Sequence, residues 1–213
     1  MLLTYQTKNQ QSERSRIAER RLHFYDRGEE IPLISQGVWQ VCQGVVQLGT
    51  FNLSGEETLL GWVQPLGFFG LWLTNLDTYH AKALSDIYLK WYSINEIEAS
   101  SSLSQTVLNQ VVLKLRQTEA LLAIAGIKRV EDRLIKLLML LKKEFGEPME
   151  QGTRIGVRFT HQNIANVIGT TRVTVTRLLG EFQRQGLISF ASDRHIIIAN
   201  QFLAKQMTEL AFC

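Results

Sequence analysis

Cysteine is almost missing from this chain: among 213 residues only Cys42 and Cys213 occur, with no CxxC pair. That excludes a disulfide lattice and argues against a structural zinc or an iron–sulfur cluster; it fits a reducing cytoplasm. Long apolar runs are also missing. None reaches the ~18 residues of a membrane span, and Met1 to Arg21 is polar and charged, so neither a transmembrane helix nor a signal peptide is expected. Net charge is only +3, so the chain is no polycation, and any nucleic-acid site must be a local patch. Catalytic signatures are lacking as well. There is no nucleophile-elbow or phosphate-loop motif. A cupin-type metal enzyme needs two or three histidines and a glutamate converging from adjacent strands, but only His23 and His80 precede residue 100, with no H-x-H pair. No metal site and no enzyme are expected.

What is present is a hydrophobic content of 45% with 20% charged residues, the balance of a folded globular protein. The most informative stretch runs from Phe159 to Leu179. Ile164, Val167 and Ile168 give a first helix one apolar stripe, and Gly169 can take the left-handed conformation that ends it. Thr171 is a candidate N-cap for a second helix, in which Val175, Leu178, Leu179 and Phe182 recur at core spacing. Arg172, Val173, Thr176 and Arg177 project from another side. An arginine on such a face can chelate guanine O6 and N7 or grip phosphate, so the stretch reads either as a DNA-reading helix-turn-helix or as an ordinary helical hairpin with solvated arginines. From 158 to 198 five arginines stand against Glu181 and Asp193 alone, so the positive charge gathers where the hairpin lies.

Upstream, Leu22 to Asn95 consists of short strand-like runs punctuated by glycines, such as 38–41, 45–48 and the strand–turn–strand of 50–60, which suggests a sandwich or jelly roll. A long helix follows over about Ser102–Ala125. Its positions Leu108, Val112, Leu115, Glu119 and Leu122 form a seam that could pair with a twin helix. Glu119 interrupts the seam; it either fixes register or touches a ligand, or it lies at the seam's edge. Gly126 is a candidate hinge, Val130 to Phe145 a second amphipathic helix, and Gly146-Glu147-Pro148 a break. After Gly186, Leu187–Phe190 and His195–Ile198 flank a polar turn, a two-stranded wing; a short helix is expected from Gln201 onward. The fold class is therefore α+β: residues 1–100 a jelly-roll sensor of cupin type, 101–127 a dimerisation helix, and 128–213 a winged helix-turn-helix.

Roll, long helix and winged helix in that order resemble the CRP/FNR family of bacterial transcription regulators over nearly the whole chain. Tyr25-Asp26-Arg27-Gly28-Glu29-Glu30-Ile31 is similar to the family's aromatic-x-x-Gly-Glu-x-Ile opening, and Gly44, Gly55 and Phe68-Phe69-Gly70 to its turn glycines. Thr170 to Gly180, with Gln117-Thr118-Glu119, resembles the family's cyanobacterial nitrogen-regulator branch, as a paralogue would. The resemblance implies a cytoplasmic homodimer that binds double-stranded DNA and works with RNA polymerase. Arg172, Val173, Thr176 and Arg177, with Thr160, His161 and Thr171, would face the DNA. Val173 occupies the place where cyclic-AMP receptors carry a glutamate. Valine cannot accept from a cytosine amino group and favours a thymine methyl, so the implied operator resembles GTA-N8-TAC in place of TGTGA.

The effector region departs from the family. Phe69-Gly70-Leu71-Trp72-Leu73 has no glutamate and Tyr79-His80-Ala81-Lys82-Ala83 no arginine, so a cyclic phosphate would lack its partners. Where the nitrogen regulators use arginines for a dicarboxylate, this chain carries Asp77 and Lys114. Candidate effector contacts are Phe69, Gly70, Leu71, Trp72, Tyr79, Lys114, Thr118 and Glu119, for a ligand more apolar than cyclic AMP; the other reading is constitutive competence without an effector. Trp62, Phe68, Phe69, Trp72, Tyr79 and Trp91 could line an apolar pocket or simply be core. A haem through His80 or Cys42 is the remaining alternative, and the cysteine cluster of the family's oxygen sensors is absent. No cofactor is assigned.

Overall fold

The computed structural model describes residues 21–53 and 55–202. The helix expected from Gln201 onward falls almost wholly outside them. Seven strands build the N-terminal half: β1 (His23–Tyr25), β2 (Gly37–Gln43), β3 (Val46–Phe51), β4 (Glu57–Val63), β5 (Phe68–Phe69), β6 (His80–Ala83) and β7 (Ile87–Ser93). They form two antiparallel sheets, in the orders β1-β7-β2-β5 and β4-β3-β6. Inward residues of both, including Val41, Val46, Leu48, Phe69, Ile87 and Leu89, make one core. That is the alternation a two-layer roll requires.

Two helices lead out of the roll. The short α1 (Ile94–Ala99) starts with a reciprocal cap between Ser93 and Glu96. Ser100 then caps α2 (Ser101–Ala125) by accepting from Leu103 N–H. Only Val107, Leu121 and Ile124 of α2 are buried, whereas Leu108, Leu115 and Leu122 are 55, 57 and 73% exposed. A helix of this length does not leave such a stripe in water without a partner. α2 ends at Gly126, which keeps right-handed dihedrals (φ −72°, ψ −11°).

The C-terminal half contains α3 (Val130–Phe145), β8 (Gly146–Met149), β9 (Gly152–Ile155), α4 (His161–Ile168), α5 (Arg172–Arg184), β10 (Ile188–Phe190) and β11 (Ile196–Ala199). One expectation needs correction. The stretch beginning at Gly146 does not break the chain; it runs on as strand β8, hairpin-paired to β9. Pro148 is tolerated because β8 lies at the sheet edge. The expected wing forms, with β10 antiparallel to β11, and it is extended by β9 and β8 into a four-stranded sheet ordered β10-β11-β9-β8.

The halves share one hydrophobic core, in which Leu59, Trp62 and Leu84 of the roll join Leu134, Leu138, Phe145 and Phe159. Trp62 packs its ring 5.5 Å from Phe145 and 5.7 Å from Phe159. Over this aromatic contact lies a polar junction. One Glu144 oxygen on α3 accepts from the Trp62 indole N–H and from Gln117 Nε2 at 2.8 Å. Gln117 Oε1 in turn accepts from Trp62 N–H at 3.1 Å and from Lys114 Nζ at 2.9 Å. Roll, long helix and C-terminal half thus meet in a few side chains. A second seam joins α4 to the roll: Asn163 donates to Gln47 (2.8 Å), while Asn166 and Gln47 each donate to Glu57 (2.8 Å).

Gly61 lets the junction close. Its φ is +130°, and a Cβ there would lie 2.3 Å from Gln117 Oε1 and 2.4 Å from Lys114 Nζ. Those atoms could yield, but only by leaving the junction, and the backbone strain adds to the loss. Gly61→Ala is expected to lower unfolding stability by about 1–3 kcal/mol; an unchanged urea midpoint would contradict this packing.

Candidate nucleic-acid interface

The helix-turn-helix is fixed at each end by local chemistry. Thr160 Oγ1 accepts from Asn163 N–H (3.1 Å) while Asn163 Oδ1 accepts from Thr160 N–H (3.0 Å), a capping box that starts α4. Gly169 ends α4 in the left-handed region (φ 60°, ψ 56°), and its N–H returns to Ala165 O. Thr171 then caps α5, accepting from Thr174 N–H at 3.2 Å. Val175, Leu178, Leu179 and Phe182 are buried, which turns the opposite face outward. There Val173 is 79% exposed, with Arg172, Thr176 and Arg177 exposed around it.

The polar groups of that face are partly organised already. Thr176 hydroxyl donates to Arg172 O (2.9 Å) and lies 2.8 Å from His161 Nδ1. With its own proton committed, it accepts from Nδ1–H, which leaves His161 Nε2 as an acceptor on the neutral ring. Burial, reinforced by the Arg172 charge, holds the His161 pKa below its ordinary value, so the neutral form prevails at pH 7. Arg177 is engaged with Glu181 at 2.6 Å, one turn on. An exposed i,i+4 pair is worth about 0.3–0.5 kcal/mol, so a phosphate could displace it.

Beside this face is a cleft of about 600 Å³ lined by Arg158, Thr160, His161, Arg172, Phe190 and Arg194. Three arginines, Arg158, Arg172 and Arg194, line it together with the first residues of α4, an arrangement suited to a phosphate oxygen. Arg158 and Arg194 were not singled out as contacts in the sequence. Their number raised the local charge, but only the fold brings the wing tip beside the α4 cap.

The wing turn is clamped. Arg154 spans Glu147 (2.6 Å) and Asp193 (2.7 Å), and Asp193 also pairs with His195 at 2.9 Å. Hydrogen bonds from His195 and then Arg154 hold the Asp193 carboxyl well below the usual carboxylate range. Arg194, held between these anchors with φ +66°, faces the cleft.

The effector candidates divide. Phe69, Tyr79, Lys114 and Thr118 line a cavity of about 490 Å³ between the roll and α2. Gly70, Leu71, Trp72 and Glu119 do not. Residues 71–73 form a 3₁₀ turn that delivers Leu73 to the cavity and leaves Trp72 exposed, while Gly70 packs its backbone on Gly37 and Val38. Glu119 follows Thr118 on exposed helix surface, in line with Leu115 and Leu122 of the apolar seam. Leu60, Leu76, Leu121 and Val167 line the cavity and were not among the effector contacts expected from the sequence. Of the other aromatics, Trp62 is interdomain core and Phe68 also lines the cavity. Among the described residues no group of three or more His, Cys, Asp or Glu could hold a metal ion, and no helix is long and apolar enough to cross a membrane.

A capped helix-turn-helix with an exposed Arg–Val–Thr face and a flanking wing defines a DNA-binding transcription regulator. Residues 132–201 match the Crp-like helix-turn-helix domain. The chain is 35% identical over 171 residues to the regulatory protein CysR of Synechococcus elongatus, covering 79% of each. It is 30% identical over 185 residues to the global nitrogen regulator of Synechocystis, covering 82% of this chain and 81% of that one. In fold it is similar to a CRP-family transcriptional regulator of Thermus thermophilus, with a TM-score of 0.73 at 20% identity over 85% of this chain and 93% of that one. The chain belongs to the CRP/FNR family of transcription regulators.

The wing clamp carries a pH dependence of known sign. A carboxyl whose folded pKa is depressed contributes stability above its unfolded value of about 3.9, and that contribution disappears as pH falls toward the folded value. Unfolding free energy measured against pH is expected to drop below about pH 4, and Asp193→Asn to flatten part of that drop. Superimposable pH profiles would contradict the clamp.

Proposed function

We propose that the protein is a cytoplasmic homodimer that reads a palindromic operator of the form GTA-N8-TAC, with 1–100 as sensor, 101–127 as pairing helix and 128–213 as DNA reader. The observation that carries this reading is the exposure of Val173 beside Arg172 on the outer face of α5. Arg172 takes guanine O6 and N7, and Val173 packs on a thymine methyl. Thr176 and Arg177 extend the contact, while Thr160, His161, Thr171, Arg158 and Arg194 hold phosphates. The exposed seam of α2, with Leu108, Val112, Leu115 and Leu122, pairs with its twin, and the two-fold axis sets half-sites one helical turn apart. A small-molecule effector at the roll–α2 cavity biases how the halves pack. RNA polymerase is the partner at the promoter.

The test is a titration of purified protein on GTA-N8-TAC and scrambled duplexes at fixed salt without ligand. Preference for the palindrome supports the operator; equal binding to both overturns the assigned half-site. Arg172→Ala is expected to lose roughly 1–3 kcal/mol of sequence discrimination. Val173→Glu is expected to shift preference toward a G·C pair at the neighbouring position, read in a base-substitution series. An unchanged preference would remove Val173 from the readout.

A further inference from the structure

The cavity between roll and long helix has an unusual charge inventory. Lys114 is the one ionisable cation among the residues that line it, and no carboxylate joins it there. Most of the lining is leucine, phenylalanine and valine, with Thr58, Thr74, Thr118 and Tyr79 adding hydroxyls. At about 490 Å³ the space is in the range of small-molecule sites, roughly 300–1,000 Å³. Lys114 donates to Leu60 O (3.3 Å) and Gln117 Oε1 (2.9 Å). An ammonium has three N–H donors, and among the described residues no acceptor takes the third. Burial lowers its pKa to about 8, against a partial opposing pull from Glu144.

Building on the reading of this cavity as the effector site, we infer that its ligand is an amphipathic monoanion, an apolar chain or ring system carrying one carboxylate that meets Lys114. A dianion would bury a second charge with nothing to pair it. A neutral apolar molecule would fill the space but leave the ammonium short of a partner. The cavity is also bounded by Val167 of α4, so an occupant touches the helix-turn-helix itself as well as roll and α2. Occupancy therefore changes DNA affinity through direct packing on α4.

The groups facing Lys114 set the pH dependence. Glu144 on α3 attracts it, and Tyr79 across the cavity stays neutral, its hydroxyl pushed well above the ordinary tyrosine value by burial. Arg116 and Lys143 line the adjoining groove between the β4–β5 connection, α2 and α3. A fatty carboxylate is ionised throughout the neutral and alkaline range, so its binding follows Lys114. As pH rises through about 8 the ammonium is lost and affinity falls.

The experiment is calorimetric titration of the full-length protein with decanoate, decanol and the dicarboxylate sebacate at about pH 7 and about pH 9. Decanoate is expected to bind best, to weaken about tenfold between the two pH values, and to change affinity for the duplex that the protein prefers. Decanol is expected to bind more weakly with no such pH dependence, and sebacate more weakly than decanoate. Lys114→Met should erase the preference of decanoate over decanol; if that variant fails to fold, the wild-type comparison still decides. Decanol binding as well as decanoate, a pH-independent decanoate affinity, or no binding of either would overturn the inference. Ligand-free palindrome binding is a separate readout, so failure here leaves the operator assignment standing and failure there leaves this one testable.

Discussion

The Glu144 carboxylate is an acceptor that roll and long helix both use to hold the DNA-binding half. Trp62 reaches it from strand β4 and Gln117 from α2; the Trp62 side chain is buried and Gln117 partly so. A buried donor left without a partner costs about 1–3 kcal/mol, so the Trp62 indole cannot drift from Glu144 without penalty. The aromatic contact of Trp62, Phe145 and Phe159 supplies non-directional attraction beneath it. The polar bonds add direction: they fix how α3 is turned against the roll. Since α3 also carries the core of the helix-turn-helix, through Leu134, Leu138 and Leu141, turning α3 turns α5.

The connection at the other end of α3 reinforces this. Arg133 donates to Ile127 O beside Gly126 (3.0 Å) and to Gly169 O in the turn between α4 and α5 (3.5 Å), so one side chain links the end of α2 to the turn before α5. Asn163 and Asn166, meanwhile, tie α4 to Gln47 and Glu57 of the roll. The cavity lined by Lys114, Thr118, Leu121 and Val167 lies between these two seams. A ligand there would have leverage, because the surrounding packing has few ways to rearrange without breaking one seam or the other.

Local features were legible in the sequence, and nonlocal ones were not. Gly169 announces a left-handed turn because few other residues adopt it, and Thr171 announces a cap because its hydroxyl reaches the backbone three residues on. The periodicity of 175, 178, 179 and 182 set the inward face of α5 and hence the outward one. The run 38–41 and the turn within 50–60 followed from glycine punctuation, but Gly49 does not separate strands: 46–51 is the single strand β3. Pro148 misled, because proline ends a central strand but is harmless on an edge, and only the sheet order shows which applies. Trp62, Gln117 and Glu144 are far apart in the chain, and none belongs to a spacing pattern, so their junction had no signature. Trp72 shows the opposite error: an aromatic near a glycine-rich turn looked like pocket lining, but the 3₁₀ turn sends it outward. Asn163 and Asn166 were unremarkable polar residues of a helix until the roll appeared beneath them.

Spacing preference on DNA tests the aiming role of the junction most directly. Duplexes carrying the preferred half-sites at their native separation, and with the spacer lengthened or shortened, would be titrated with wild-type protein and with Glu144→Ala. If the junction aims the recognition helices, the variant keeps its choice of half-site sequence but loses much of the wild-type preference for the native spacing. A variant that folds, prefers the same half-sites and keeps the full spacing preference would contradict the account.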